Sequence, residues 1–296
     1  MTTSVGVAVG AAALASDARG ERRRLLLLSS PAMLVVALVI FIPVGWLFWL
    51  SFFDQTGATT ANYVRLIDNS AYYKIFQTTF LLSAIVTLVT ILLGYPLAYL
   101  LSQLSRRAAL IGLALVLLPF WTSLLVRTYA WLVLLQRNGL VNTALIKLGL
   151  IDQPLALVYN FTGAVIGMVH IMLPFLVLPL YASMKSIDPL LPRAAMSLGA
   201  SPRAAFWTVF APLTLPGLFA GSLLVFIYCL GFYIVPQVLG GGRVNMVAMK
   251  ILENATTYFN WGAASALGVV LLVVTLGIFY VIGRFLPAER LSAEPR

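Results

Sequence analysis

Ser186-Ile-Asp-Pro-Leu-Leu-Pro-Arg-Ala-Ala-Met-Ser-Leu-Gly-Ala-Ser-Pro-Arg-Ala-Ala-Phe-Trp-Thr-Val-Phe-Ala-Pro-Leu-Thr-Leu-Pro-Gly217 joins two long apolar segments and carries two helix starts and one helix stop. Asp188 followed by Pro189 is an N-cap ahead of a proline at the first helical position, where the missing N–H is harmless. Gly199 supplies the left-handed residue that ends a short helix. Ser201-Pro202 repeats the start signal for a second one. Leu191, Ala194, Ala195 and Leu198 recur at spacings of three and four, which gives the first helix an apolar face of small residues. A face of that kind suits a partner protein better than a plain connection between two elements.

Outward from this segment the chain is almost entirely apolar. Of 296 residues 61% are hydrophobic and 9% charged, against about half and about a quarter in a soluble domain. So few charges leave a globule with large exposed apolar patches, so the chain is no water-soluble enzyme and lipid surrounds most of it. About 20 apolar residues cross a bilayer core of ~30 Å. Six such stretches occur, at Pro31 to Phe53, Ile75 to Leu104, Ala108 to Leu135, Phe161 to Met184, Leu215 to Val238 and Gly262 to Phe285. Their length favours helices over barrel strands, which read as about ten residues of alternating polarity. The expected fold is an all-α membrane protein with six transmembrane helices. Residues 30–286 form the membrane domain, with the helix-turn-helix at 187–214, and 1–29 and 287–296 are tails.

An even number of spans places both termini on one side. That side carries Arg19, Arg22, Arg23, Arg24, Arg106, Arg107, Lys185, Arg193, Arg203, Arg284, Arg290 and Arg296. The other carries Arg65, Lys74, Arg137, Lys147, Arg243 and Lys250, with Arg127 inside a span. The positive-inside rule therefore puts both termini and the 187–214 segment in the cytoplasm. The same scatter of basic residues between spans explains the formal charge of +10 without nucleic acid. The first 18 residues do not read as a secretory signal, because Arg22 to Arg24 follow the apolar stretch instead of preceding it. They read as a disordered cytoplasmic tail.

The 186–217 segment resembles the cytoplasmic coupling loop of ATP-binding-cassette importer permeases. Its matching residues are Ala194, Ala195, Gly199, Ala200, Phe206, Pro212, Leu213, Pro216 and Gly217, with Arg193 where the motif usually has Glu. Phe120-Trp-Thr-Ser-Leu-Leu-Val-Arg-Thr-Tyr-Ala-Trp131 with Gly139-Leu-Val-Asn142, Leu173 to Tyr181, and Gly94-Tyr-Pro-Leu-Ala-Tyr99 are similar to the spermidine and putrescine permease branch. The resemblance implies a type I importer permease in the bacterial inner membrane. It implies docking on a cytoplasmic ATP-binding subunit, present in two copies, through Arg193, Ala194, Ala195, Leu198, Gly199, Ala200, Ser201 and Phe206. It also implies a second permease subunit, a periplasmic or lipid-anchored solute-binding protein, and a polyamine as solute. The Glu-to-Arg change at 193 removes any ion pair that the glutamate makes with the ATPase while leaving the helix-turn-helix intact.

Polar and aromatic residues within spans mark a solute path, since lipid disfavours them. In the third span Trp121, Thr122, Leu125, Thr128, Tyr129 and Leu132 fall within about a third of the helix circumference. In the fifth, Ser222, Phe226, Cys229, Tyr233 and Gln237 share a stripe, and Pro236 with Gly240-Gly-Gly242 breaks the helix at its outer end as a candidate gate. Each stripe is either a solute path or ordinary helix packing with aromatic anchors. Arg127 points away from the first stripe and reads as structural or at a subunit interface. His170 reads as a hydrogen-bonding residue between helices, not a proton carrier. A cationic solute calls for carboxylates or aromatic faces. None of the nine acids lies in a span, while Asp54, Asp68, Asp152 and Glu253 fall on the outer side.

One cysteine, Cys229, and one histidine, His170, make neither a disulfide nor a His-rich metal site. No Gly-x-x-x-x-Gly-Lys-Ser/Thr, His-Glu-x-x-His or Gly-x-Ser-x-Gly occurs, so this chain binds no cofactor and catalyses no reaction; Mg-ATP belongs to the partner ATPase. The expectation is a permease subunit forming half the path for a polyamine. Another small amine, an amino acid derivative or an aminophosphonate fits the same architecture. An ion-coupled secondary transporter is the reading from another class, and the missing intramembrane acids count against it.

Overall fold

The computed structural model describes residues 3–54 and 57–285. Among them, five helices are long and apolar enough to cross a membrane, and a sixth crossing is counted if one bent pair is taken as a single span. Helix α1 (Thr3–Leu50) contains the first span, Leu28–Leu50. The N-terminal stretch expected to be disordered is thus helical from Thr3, in keeping with an Ala-rich sequence free of proline before Pro31. The expected C-terminal tail, 287–296, lies outside the described residues, as do Arg290 and Arg296. No residue of the α1 span is buried; one face rests on the sixth span (Trp261–Phe285), and the rest of its circumference is open to lipid or to another chain.

A two-residue antiparallel hairpin, β1 (Phe53–Asp54) and β2 (Gly57–Ala58), follows. It is pinned by the Asn62 amide, which donates to Ser51 O at 3.1 Å and Phe53 O at 3.0 Å. Helix α2 (Ala61–Asp68) leads into the second span, α3 (Ser70–Gln103). This starts over a turn before Ile75 because the Asn69 side chain caps it, accepting from Ala71 N at 2.9 Å. Within α3, Thr79, Ser83, Thr87 and Thr90 each donate to the carbonyl four residues back, so the hydroxyl hydrogens stay satisfied where water is absent.

The third span departs from expectation. It is α4 (Arg106–Leu117), a 3-10 turn over Leu118–Trp121, and α5 (Leu124–Leu135) running into α6 (Leu140–Lys147), with a 97° bend between the two halves. The fourth, α7 (Phe161–Ser186), is capped by Asn160, which accepts from Gly163 N at 2.8 Å. It is the most buried span and packs against α3 and against α10 (Ala211–Leu230). Leu82 and Val86 of α3, Met168, Met172 and Leu176 of α7, and Val225 of α10 meet in the main core. Glycines permit the approach: a Cβ on Gly217 would collide with Ser183, and one on Gly221 would lie 3.1 Å from Leu176 O. Close backbone contact through small residues is how helices associate where lipid removes the hydrophobic drive.

Between α7 and α10 come α8 (Leu190–Ser197), α9 (Pro202–Ala205) and a π-helical turn over Phe206–Phe210. The fifth span ends at Leu230, not Val238; a break at Gly231–Tyr233 precedes α11 (Ile234–Leu239), so Pro236 lies inside α11 and is not the breaker. After the Gly240–Gly242 turn come α12 (Val247–Thr256) and the sixth span, α13 (Trp261–Phe285).

Candidate functional site

Two cavities lined by polar and aromatic side chains lie at opposite ends of α3 and α10. At the coupling end, Asp188 Oδ1 accepts from Leu190 N at 2.8 Å, so the carboxylate caps α8 while Pro189 stands one position outside the helix. The helix stops as its glycine requires: Gly199 has φ +95°, with Gly199 N donating to Met196 O and Ala200 N to Ala195 O, both at 3.0 Å. Ser201 Oγ then accepts from Ala204 N at 3.2 Å. The second helix of the pair is not separate. It continues through the wide turn at Phe206–Phe210 into the fifth span, Pro202–Leu230. That turn sits just before Pro212, whose ring clashes with the carbonyl four residues back in a regular helix.

Leu191, Ala194 and Leu198 are exposed and Ala195 is half-buried; Leu198 is 90% exposed. Arg193 and Phe206 face the other way. Arg193 lines a cavity of about 510 Å³ between α8 and the span ends, with Ser102, Gln103, Lys185 and Phe206. Lys185 Nζ donates to Ser102 O at 3.2 Å, and Phe206 meets Tyr99 edge to face at 5.2 Å between centroids. Arg193, at the position where the motif usually has Glu, thus borders this cavity while remaining exposed, apart from the apolar face of Leu191, Ala194 and Leu198. Ala200 is half-buried and Ser201 exposed at the turn.

At the other end, the residues expected to line a path separate into groups. Trp121, 90% exposed, stands at the elbow of the third span. Thr122 donates to Pro119 O at 2.8 Å in the same turn. Tyr129 is exposed on α5. Thr128 is buried, donating to Leu124 O at 2.8 Å, and Cys229 is buried in the main core. Neither side chain is exposed. The elbow also means that Trp121 and Thr122 do not share a helical face with Tyr129. Tyr233 and Gln237 do share a space, a cavity of about 590 Å³ at the start of α3, with Asn245, Met249, Lys250 and Glu253.

That cavity holds the one ion pair among the described residues. Lys250 Nζ lies 2.8 Å from Glu253 Oε2, Tyr258 Oη donates to Glu253 Oε1 at 3.0 Å, and Lys250 Nζ stands 5.2 Å from the centre of the Tyr258 ring. The Lys250 hydrogen bond holds the Glu253 carboxyl below the usual carboxylate range. Burial works against the Lys250 charge, but the hydrogen bond and charge of Glu253 outweigh it and raise the amine. Helix α12 is fixed at its start by α3: buried Val247 N donates to Thr79 Oγ1 at 2.9 Å. The sequence places Glu253 and Lys250 on the outer side, but not as a pair, and does not single out Tyr258; the three- and five-residue spacings from Glu253 were the available signal.

Three other motif residues have structural roles. His170 Nδ1 accepts from Trp131 Nε1 at 3.1 Å, tying α7 to α5. Asn142 donates to Gln136 O and Leu155 O, both at 3.0 Å, and accepts from Leu155 N at 2.8 Å, stapling the loop after α6. Arg127 lies 5.7 Å from the Phe120 ring, and its buried Nε and Nη1 find no partner among the described residues.

No family model matches the chain. It is 36% identical over 224 residues to the spermidine/putrescine transport system permease protein PotB of Haemophilus influenzae, covering 75% of this chain and 78% of that one. It is 33% identical over 246 residues to PotB of Escherichia coli K12, covering 81% and 89%. Its fold matches a chain of the bacterial alginate ABC transporter, crystallised in complex with an alginate pentasaccharide-bound periplasmic protein, with a TM-score of 0.71 at 16% identity over 93% of this chain and 98% of that one. With the coupling segment, the crossing helices and these relatives together, the chain belongs to the family of spermidine/putrescine transport system permease proteins, membrane subunits of ABC importers.

Proposed function

We propose that this chain forms one half of the translocation path of an ATP-driven importer for small aliphatic amines of the polyamine class. The observation that carries the importer reading is the α8 helix, capped at Asp188, stopped at Gly199, and presenting Leu191, Ala194 and Leu198 outward. An exposed apolar knob on an otherwise well-capped segment is a docking element. Two copies of a cytoplasmic ATPase bind and hydrolyse Mg-ATP and move α8 as a rigid lever. The continuity of Pro202–Leu230 supports this, because motion of the segment passes directly into the fifth span.

A second permease completes the path. The unburied α1 span and the two unpartnered guanidinium nitrogens of Arg127, Nε and Nη1, support a chain packed outside this one. A periplasmic or lipid-anchored binding protein delivers the solute, a reading supported by the alginate transporter's complex with a pentasaccharide-bound periplasmic protein. Both termini lie in the cytoplasm and the chain in the bacterial inner membrane, a reading supported by the excess of Lys and Arg on that side. Kinship with permeases named for spermidine and putrescine supports the substrate class. In proteoliposomes holding the full complex, labelled putrescine or spermidine should accumulate with ATP and binding protein present. Accumulation of a neutral or anionic solute in its place would refute the substrate class.

A further inference from the structure

We propose that the cavity at the start of α3 holds a seat for a substrate ammonium group, occupied at rest by Lys250, with Glu253 as the specificity-determining carboxylate. The inference rests on the amine-importer reading and identifies where this chain meets the amine. The seat has the parts that ammonium recognition requires. A carboxylate oxygen lies 2.8 Å from the lysine nitrogen, and an aromatic face stands 5.2 Å from it. A phenol hydroxyl on the other carboxylate oxygen, at 3.0 Å, holds the group in place. Lys250 presents a primary ammonium on a four-carbon stem, so a primary aliphatic amine can replace it contact for contact. Glu253 is 42% exposed on its side chain and Lys250 25%, so solute reaches the carboxylate from the cavity. An exposed ion pair of this kind contributes little, which makes the exchange cheap.

The surroundings suit an amine as well. Gln237 and Asn245 offer polar groups in the same cavity, and Tyr233 offers a second ring. The seat is rigidly mounted, since α12 is tied to α3 through Thr79 and Val247. This also resolves an apparent shortage: the spans lack acids, yet the chain presents a carboxylate to a cation before it enters them.

The test is acylation of Lys250 by an amine-reactive reagent, quantified by mass spectrometry on the full assembled complex. Putrescine should raise Lys250 acylation by about threefold to fivefold by freeing it from Glu253, while 1,4-butanediol and equal ionic strength of sodium chloride should not. In Glu253→Gln, Lys250 should react quickly with or without putrescine. A rise that sodium chloride reproduces overturns the seat, because it reports screening alone. No rise in a complex that imports polyamine overturns the seat and leaves the importer reading standing. No rise in a complex that imports no amine overturns both.

Discussion

Replacing Gly199 isolates the backbone contribution to coupling. Its φ is +95°, and a Cβ built there meets nothing within 4 Å. Steric collision is therefore absent, and any effect of a side chain comes through the left-handed conformation itself. That conformation costs an L-residue about 1–2 kcal/mol, somewhat more when the side chain is β-branched, and less for Asn, which tolerates it. A penalty of that size shifts the population of the stopped α8 by roughly 5- to 30-fold. The two hydrogen bonds that close the turn, to Met196 O and Ala195 O, weaken with it. In reconstituted complexes the ratio of solute imported to ATP hydrolysed should fall in the order Gly, Asn, Ala, Val, with membrane insertion unchanged. Refutation would come from an order that follows side-chain volume, with Ala benign and Asn harmful, or from a Val variant that couples as well as the original.

Three other perturbations have defined outcomes. Thr79→Val removes the acceptor for the buried Val247 N–H at about 1–3 kcal/mol, so amide exchange at Val247 should accelerate while exchange in α7 does not. Gly217→Ala forces a methyl against Ser183 and to 3.1 Å from Pro179 O and should destabilise by about 1–3 kcal/mol; Gly268→Ala, whose Cβ reaches only Ile251 Cδ1 at 4.0 Å, should unfold at the original temperature. The Lys250–Glu253 pair has a signed pH response. The Glu253 carboxyl is lowered in the folded chain, so its contribution is present above its unfolded value and lost as pH falls through the folded one. Lys250 is raised, so its contribution is present below its unfolded value and lost only as pH rises through the folded one. The Lys250 Nζ chemical shift should therefore be flat through neutral pH and move at both extremes.

The spans were legible because lipid imposes length and apolarity, and four of the six stretches correspond to helices within about a turn or two, while the fifth begins at Pro202 and ends at Leu230 instead of Val238. The third was not, since hydropathy is blind to direction: Phe120-Trp-Thr-Ser is apolar enough to continue a helix, and only Pro119 hinted at the 97° elbow. Helical-wheel arithmetic placed Thr128 and Cys229 on stripes but says nothing of which side of a stripe is covered; packing against neighbouring helices buried both. The caps at Asp188, Gly199 and Ser201 were legible because capping is local chemistry. The direction of Arg193 was not, because it depends on where α8 lies against the ends of α3 and α7. The cluster of Tyr233, Gln237, Lys250 and Glu253 depends on the chain returning over Gly240–Gly242 to lay α12 beside α11 and α3, which no local pattern encodes.

The most direct test of the account is uptake of labelled spermidine by proteoliposomes that contain this chain, its permease partner, the ATPase and the binding protein. The account predicts accumulation that requires both ATP and binding protein and stops when the ATPase is inactivated. Accumulation driven by an ion gradient with the ATPase omitted would contradict it.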